Sequence, residues 1–82
     1  MHDTRWHGLT IDYDFTGLKC PLPVLKARRA LGDKLAGQVV LILVDDPAAP
    51  LDFEHFCETA GHQLVKQESA DGVFLFHIKK QG

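Results

Sequence analysis

Val39-Val40-Leu41-Ile42-Leu43-Val44 is an unbroken apolar run, closed abruptly by Asp45-Asp46-Pro47. Its length and β-branched content predict a central strand covered on at least one face. Working forward, a short loop through Pro50 leads to a helix over about Leu51 to Ala60. Phe53, Phe56, Cys57 and Ala60 repeat there at helical spacing, and Gly61 serves as the C-cap. His62 to Glu68 reads as a weaker strand around Leu64 and Val65. Ser69-Ala70-Asp71-Gly72 is a hairpin turn, and Val73 to Lys79 is the last strand. Working backward, Gly37 ends a helix that runs from about Pro21 to Leu35. Its Val24, Ala27, Leu31 and Leu35 follow the 3.6-residue period, while Gly32 weakens the last turn. Leu9, Ile11, Tyr13 and Phe15 alternate with polar residues as a half-buried first strand.

The element order is β-α-β-α-β-β. Two helices and four strands predict an α/β two-layer sandwich with both helices on one sheet face. The opposite face is then partly open, lined either by Val73, Leu75 and His77 or by Phe74, Phe76 and Ile78. Periodicity leaves those two readings equal. Residues 1–8 read as a frayed tail without a signal-peptide core, and 9–80 as a single domain.

Composition narrows the function classes. The chain has 82 residues, 45% of them apolar and 24% charged, which argues against disorder. A net charge of -2 is no polybasic signature, and no aromatic-interleaved basic platform is evident, so direct nucleic-acid binding is not expected. No apolar stretch reaches the ~20 residues that span a membrane. Two cysteines are too few for a disulfide scaffold and point to a reducing cytosol.

Cys20 carries the chemistry. It lies in Gly17-Leu18-Lys19-Cys20-Pro21-Leu22-Pro23, just before the first helix. Both prolines fall in a helical first turn, where a missing N–H costs little. The amides of Leu22 and Val24 are then free to face an anionic sulfur. The helix terminus adds about 0.3–1 kcal/mol in favour of thiolate, which predicts a modestly activated thiol. Lys19 adds to this if its side chain turns toward the sulfur. Such a thiol accepts and releases sulfur by exchange, without a metal or organic cofactor. Three other readings stand beside it: a small hydrophobe at a helix start, a metal ligand and a redox sensor. Pro23 occupies the position that a second cysteine would need for a Cys-x-x-Cys pair.

With these residues in place, the chain resembles the TusA/SirA-like family of small sulfur-carrier proteins. Gly17 to Pro23 matches the family's Gly-Leu-x-Cys-Pro-x-Pro signature. Asp45-Asp46-Pro47-Ala48 resembles its second hallmark, and Asp52, Phe56-Cys57 and His62 with Leu64-Val65 resemble further parts. The likeness spans about Leu9 through Lys80. It implies a four-stranded mixed sheet under two helices, and a persulfide carried on Cys20. It further implies a cysteine desulfurase or other sulfurtransferase as donor and a downstream acceptor protein, with tRNA 2-thiolation as one destination. Whether such a relay counts as an enzyme is left open by the sequence. Leu22 stands where related proteins carry an acidic residue, which bears on partner choice rather than chemistry. The alternative is a regulatory or protein-interaction module in which Cys20 is not essential.

The remaining candidates are weaker. Cys57 sits on the buried helical stripe and is expected to pack in the core. His2, His7, His55, His62 and His77 form no zinc pattern with either cysteine, although His55 and His62 could approach each other. Asp45 and Asp46 read as a structural loop, with Asp45 capping a local amide, or as acids near Cys20 that help choose a partner. Asp52 reads as a cap on the second helix. Basic residues gather around the first helix and acidic ones around the second, a dipolar surface suited to steering a partner.

Overall fold

The computed structural model of the protein describes Trp6 and residues 8–81. Its elements are β1 (Tyr13–Asp14), α1 (Leu22–Gly32), β2 (Val39–Val44), α2 (Ala49–Ala60), β3 (Gln63–Ala70) and β4 (Val73–Lys79). The four strands form one mixed sheet in the order β1-β2-β4-β3. β1 runs parallel to β2, and the β2–β4 and β3–β4 pairs are antiparallel.

β2 is the central strand that its apolar run predicts. Val40, Ile42 and Val44 point toward the helices, where they meet Ala27 and Leu31 of α1 and Phe53, Phe56 and Cys57 of α2. β4 contributes Phe76 and Ile78 to the same core, with Phe74 packed at its edge. Phe53 and Phe76 stack with ring centroids 4.5 Å apart. The Phe74 set therefore faces the helices, and the choice that periodicity left open is resolved. Leu75 and Val73 line the opposite face.

That opposite face is covered in part by the chain's beginning. Trp6, which falls within the predicted tail, is 8% exposed and packs with Leu43 and Leu75. Ile11, Leu41, Ala70 and Val73 border this second cluster. Beside it, His77 Nε2 and Glu68 Oε2 lie 2.9 Å apart, and the Trp6 side chain also hydrogen-bonds Glu68.

Several boundaries differ from the sequence expectation. The first strand is only two residues long, because the chain bends at Asp12. The Asp12 carboxylate takes the Leu41 N–H at 2.8 Å, a donor that a longer strand would satisfy through its backbone. Ile11 consequently joins the far cluster while Tyr13 and Phe15 pack on the helix side. The first helix stops at Gly32 with Asp33 as C-cap, so Leu35 lies beyond it and is 80% exposed. The second helix begins at Ala49 with Pro50 in its first turn, and Ala60 is exposed at its end. The hairpin is tighter than Ser69–Gly72. Ala70 pairs with Val73, leaving Asp71 (φ 51°) and Gly72 (φ 80°) as a two-residue turn.

Candidate functional site

Cys20 is exposed on the loop that joins β1 to α1. Gly17 turns this loop with φ +85°, a value that favours glycine. Its N–H donates to Asp45 Oδ1 at 2.9 Å. The N–H of Cys20 donates to Asp46 Oδ2 at 2.5 Å. Two consecutive carboxylates at the end of β2 thus anchor both ends of the segment that presents the thiol. Asp46 is buried and also accepts the Ala48 N–H on Oδ1 at 3.2 Å, while its carbonyl accepts from Ala49 at 2.9 Å. The Ala48 and Cys20 amides hold the Asp46 carboxyl below the usual carboxylate range, with the Lys19 charge adding a smaller push against burial. Both readings of the Asp45-Asp46 pair therefore meet: it is a structural loop, and it stands beside Cys20.

The prolines sit one position earlier in the helix than expected. Pro21 is the N-cap of α1 and Pro23 its second residue, and the Cys20–Pro21 bond is cis. The Leu22 N–H donates to the Lys19 carbonyl at 2.8 Å. It therefore does not serve the sulfur, contrary to the expectation from the helix terminus.

The thiol faces a cleft of about 190 Å³ between α1 and α2. Pro21, Val24 and Arg28 form one wall, and Asp52, His55 and Phe56 the other. Arg28 Cζ lies 5.3 Å from the centre of the Phe56 ring. The basic and acidic helices predicted from the sequence thus bring a guanidinium and a carboxylate into one cleft. The Cys20 thiol is raised above the ordinary cysteine value, chiefly by the Asp52 carboxylate that shares its cleft. Burial and the charges of Asp52 and Asp46 act in the same direction. This direction is opposite to the modest activation expected from the helix terminus. Asp52, read from sequence as a helix cap, makes no side-chain cap and lies in the first turn of α2.

A match to the family model described as Sulfurtransferase TusA extends over residues 11–80. The chain belongs to the TusA family. It is 51% identical over 66 residues to a candidate sulfur carrier protein of Neisseria meningitidis serogroup A, covering 80% of this chain and 89% of that protein. It is 38% identical over 69 residues to the sulfur carrier protein TusA of Allochromatium vinosum, covering 84% and 91%. The crystal structure of a SirA-like protein from Desulfitobacterium hafniense matches with a TM-score of 0.74 and 32% identity. That match covers 89% of this chain and all of the other. The TusA resemblance read from Gly17–Pro23 and the Asp45-Asp46 pair is thus shown at the level of family and fold.

The other sequence candidates fall into place around this TusA-type site. Cys57 is a free thiol buried in the core, and burial pushes it up to about 11. His55 lines the Cys20 cleft, whereas His62 packs its ring 5.6 Å from Phe56 and accepts the Gln81 N–H on Nδ1. His2 and His7 lie outside the described residues. Among the described residues, no group of three or more His, Cys, Asp or Glu side chains is arranged to hold a metal ion. Also among them, no helix is long and apolar enough to cross a membrane.

Proposed function

We propose that this protein is a sulfur carrier in which Cys20 holds sulfane sulfur as a persulfide. A cysteine desulfurase or another sulfurtransferase supplies the sulfur in the cytoplasm, and a downstream acceptor protein removes it, with tRNA 2-thiolation as one destination. The observation that carries this reading is the exposed Cys20 on a segment tied down at Gly17 by Asp45 and at its own amide by Asp46.

The chemistry requires only thiol exchange. The Cys20 sulfur attacks the outer sulfur of the donor's persulfide. The donor's S–S bond breaks, and its electron pair stays on the donor cysteine as thiolate. The Cys20 proton passes to solvent or to a basic group of the partner. Delivery repeats the step with Cys20 as the leaving sulfur, so no net oxidation occurs in either transfer. An exposed sulfur on a braced loop suits two successive partners, since each must reach the same atom along the S–S axis.

Incubation with an active cysteine desulfurase and cysteine, followed by peptide mass spectrometry, tests this directly. One added sulfur on the Cys20 peptide is expected. Absence of the adduct with a competent desulfurase would remove the assignment.

A further inference from the structure

Helix α1 separates two concave surfaces. Val24 and Arg28, which line the Cys20 cleft, lie on one side of its buried stripe of Pro23, Ala27 and Leu31. Lys26, Arg29 and the C-cap Asp33 follow one another at spacings of three and four, so they share the other side. There they bound a groove of about 260 Å³ against Tyr13 and Phe15, at the β1 edge of the sheet. The two rings are half-buried, pack against the core and have centroids 5.6 Å apart. Lys34 Nζ stands 5.4 Å from the centre of the Tyr13 ring. Lys26 and Arg29 are exposed, and among the described residues neither has a carboxylate at ion-pair distance. Asp33 shares the rim without pairing with either. The groove thus joins an aromatic wall to two uncommitted cations. More than ten positions of sequence separate the two.

We propose that this groove docks an acidic segment of a partner protein, with a large apolar side chain against Tyr13 and Phe15 and flanking carboxylates on Lys26 and Arg29. Charge complementarity selects that occupant. A guanidinium takes a carboxylate through two parallel hydrogen bonds, and the neighbouring ammonium adds a point charge. The volume falls below the roughly 300–1,000 Å³ of small-molecule pockets and suits one inserted side chain. A phosphate backbone fits less well. Its charge repeats at every nucleotide, and it would meet Asp33 on the rim and a chain of net charge -2. A segment seated here leaves the Cys20 cleft uncovered, because the buried stripe of α1 lies between them. The groove therefore holds a partner without occupying the surface that presents the thiol. Docking itself needs no sulfur; only its use in transfer rests on the carrier function proposed above.

The probe is a fluorescein-labelled peptide of alternating glutamate and leucine, titrated into the protein and followed by anisotropy. Saturable binding is expected, and it should weaken as salt screens the exposed charges. Glutamine in place of the peptide's glutamates, or serine in place of its leucines, is expected to weaken it further. Arg29→Glu is expected to weaken binding about fivefold or more. Lys66→Glu makes the same charge change on β3, at the far edge of the sheet, and is expected to bind as wild type does. NMR shifts on titration are expected at Tyr13, Phe15 and Arg29 rather than at Val24 and Thr59 of the Cys20 cleft. No binding, equal weakening by Arg29→Glu and Lys66→Glu, or shifts confined to the Cys20 cleft would overturn the proposal. So would an oligouridylate that shifts the groove residues and binds more tightly than the peptide. The titration needs no sulfur donor, so a protein that never loads sulfur would sink the carrier reading while this binding still decides the role of the groove.

Discussion

The carboxylate of Asp46 receives the backbone N–H of Cys20, bridging 26 positions of sequence to fix the loop that presents the thiol. Its neighbour Asp45 does the same for Gly17 across 28 positions. The exposed cysteine is thus supported from the end of the best-buried strand.

That support depends on pH. The Asp46 carboxyl is depressed in the folded state by the Ala48 and Cys20 amides. A depressed carboxyl contributes stability that is present above its unfolded value and lost as pH falls through the folded one. Thermal unfolding of wild type is therefore expected to weaken in acid below the ordinary carboxylate range. Asp46→Asn is expected to be less stable than wild type at neutral pH and to converge with it in acid. Calorimetry of both proteins across that range checks the crossover, and parallel curves would contradict it.

Gly17 turns the loop at φ +85°, and no heavy atom beyond its chain neighbours would lie within 4 Å of an added Cβ. The cost of Gly17→Ala is therefore backbone strain alone, about 1–2 kcal/mol. Urea unfolding is expected to show that loss with an unchanged m-value.

The two thiols differ in access as well as basicity. Cys57 is 3% exposed and raised to about 11 by burial, whereas Cys20 is exposed. Alkylation of native protein at pH 8 is expected to label Cys20 alone. Both cysteines are expected to label in guanidinium. Native labelling of Cys57 at a comparable rate would show that the α2 core opens readily.

Trp6 is the only tryptophan in the chain, so its emission reports on the second sheet face. Native protein is expected to fluoresce at short wavelength and to shift red on unfolding. Trp6→Ala uncovers Leu43 and Leu75 and is expected to cost about 3 kcal/mol by chemical denaturation. A cost near zero would mean that this face is stable without its cover.

The sequence makes the buried elements legible and the long-range ones obscure. β2 keeps its predicted bounds because a central strand leaves an uninterrupted apolar run between polar breaks. β4 does so because the Asp71-Gly72 turn and the Phe74–Ile78 alternation mark it from both sides. β1 is harder, since an edge strand needs few apolar residues and Asp12 replaces part of its backbone pairing with a side chain. Leu35 continues the helical period past Gly32, but period alone does not reveal where a helix stops. At the site, Cys20 and its prolines are a local motif and can be read directly. The sense of its pKa shift is not, because the dominant group, Asp52, reaches Cys20 only once α1 and α2 are packed together. The Asp46 contact is likewise invisible in a linear pattern.

The most direct test of the sulfur-carrier claim is transfer of labelled sulfur from cysteine through a desulfurase to three proteins: wild type, Cys57→Ala and Cys20→Ser. The account predicts stable, reductant-labile label on wild type and Cys57→Ala and none on Cys20→Ser. Label on Cys20→Ser, or none on wild type with an active desulfurase, would contradict it.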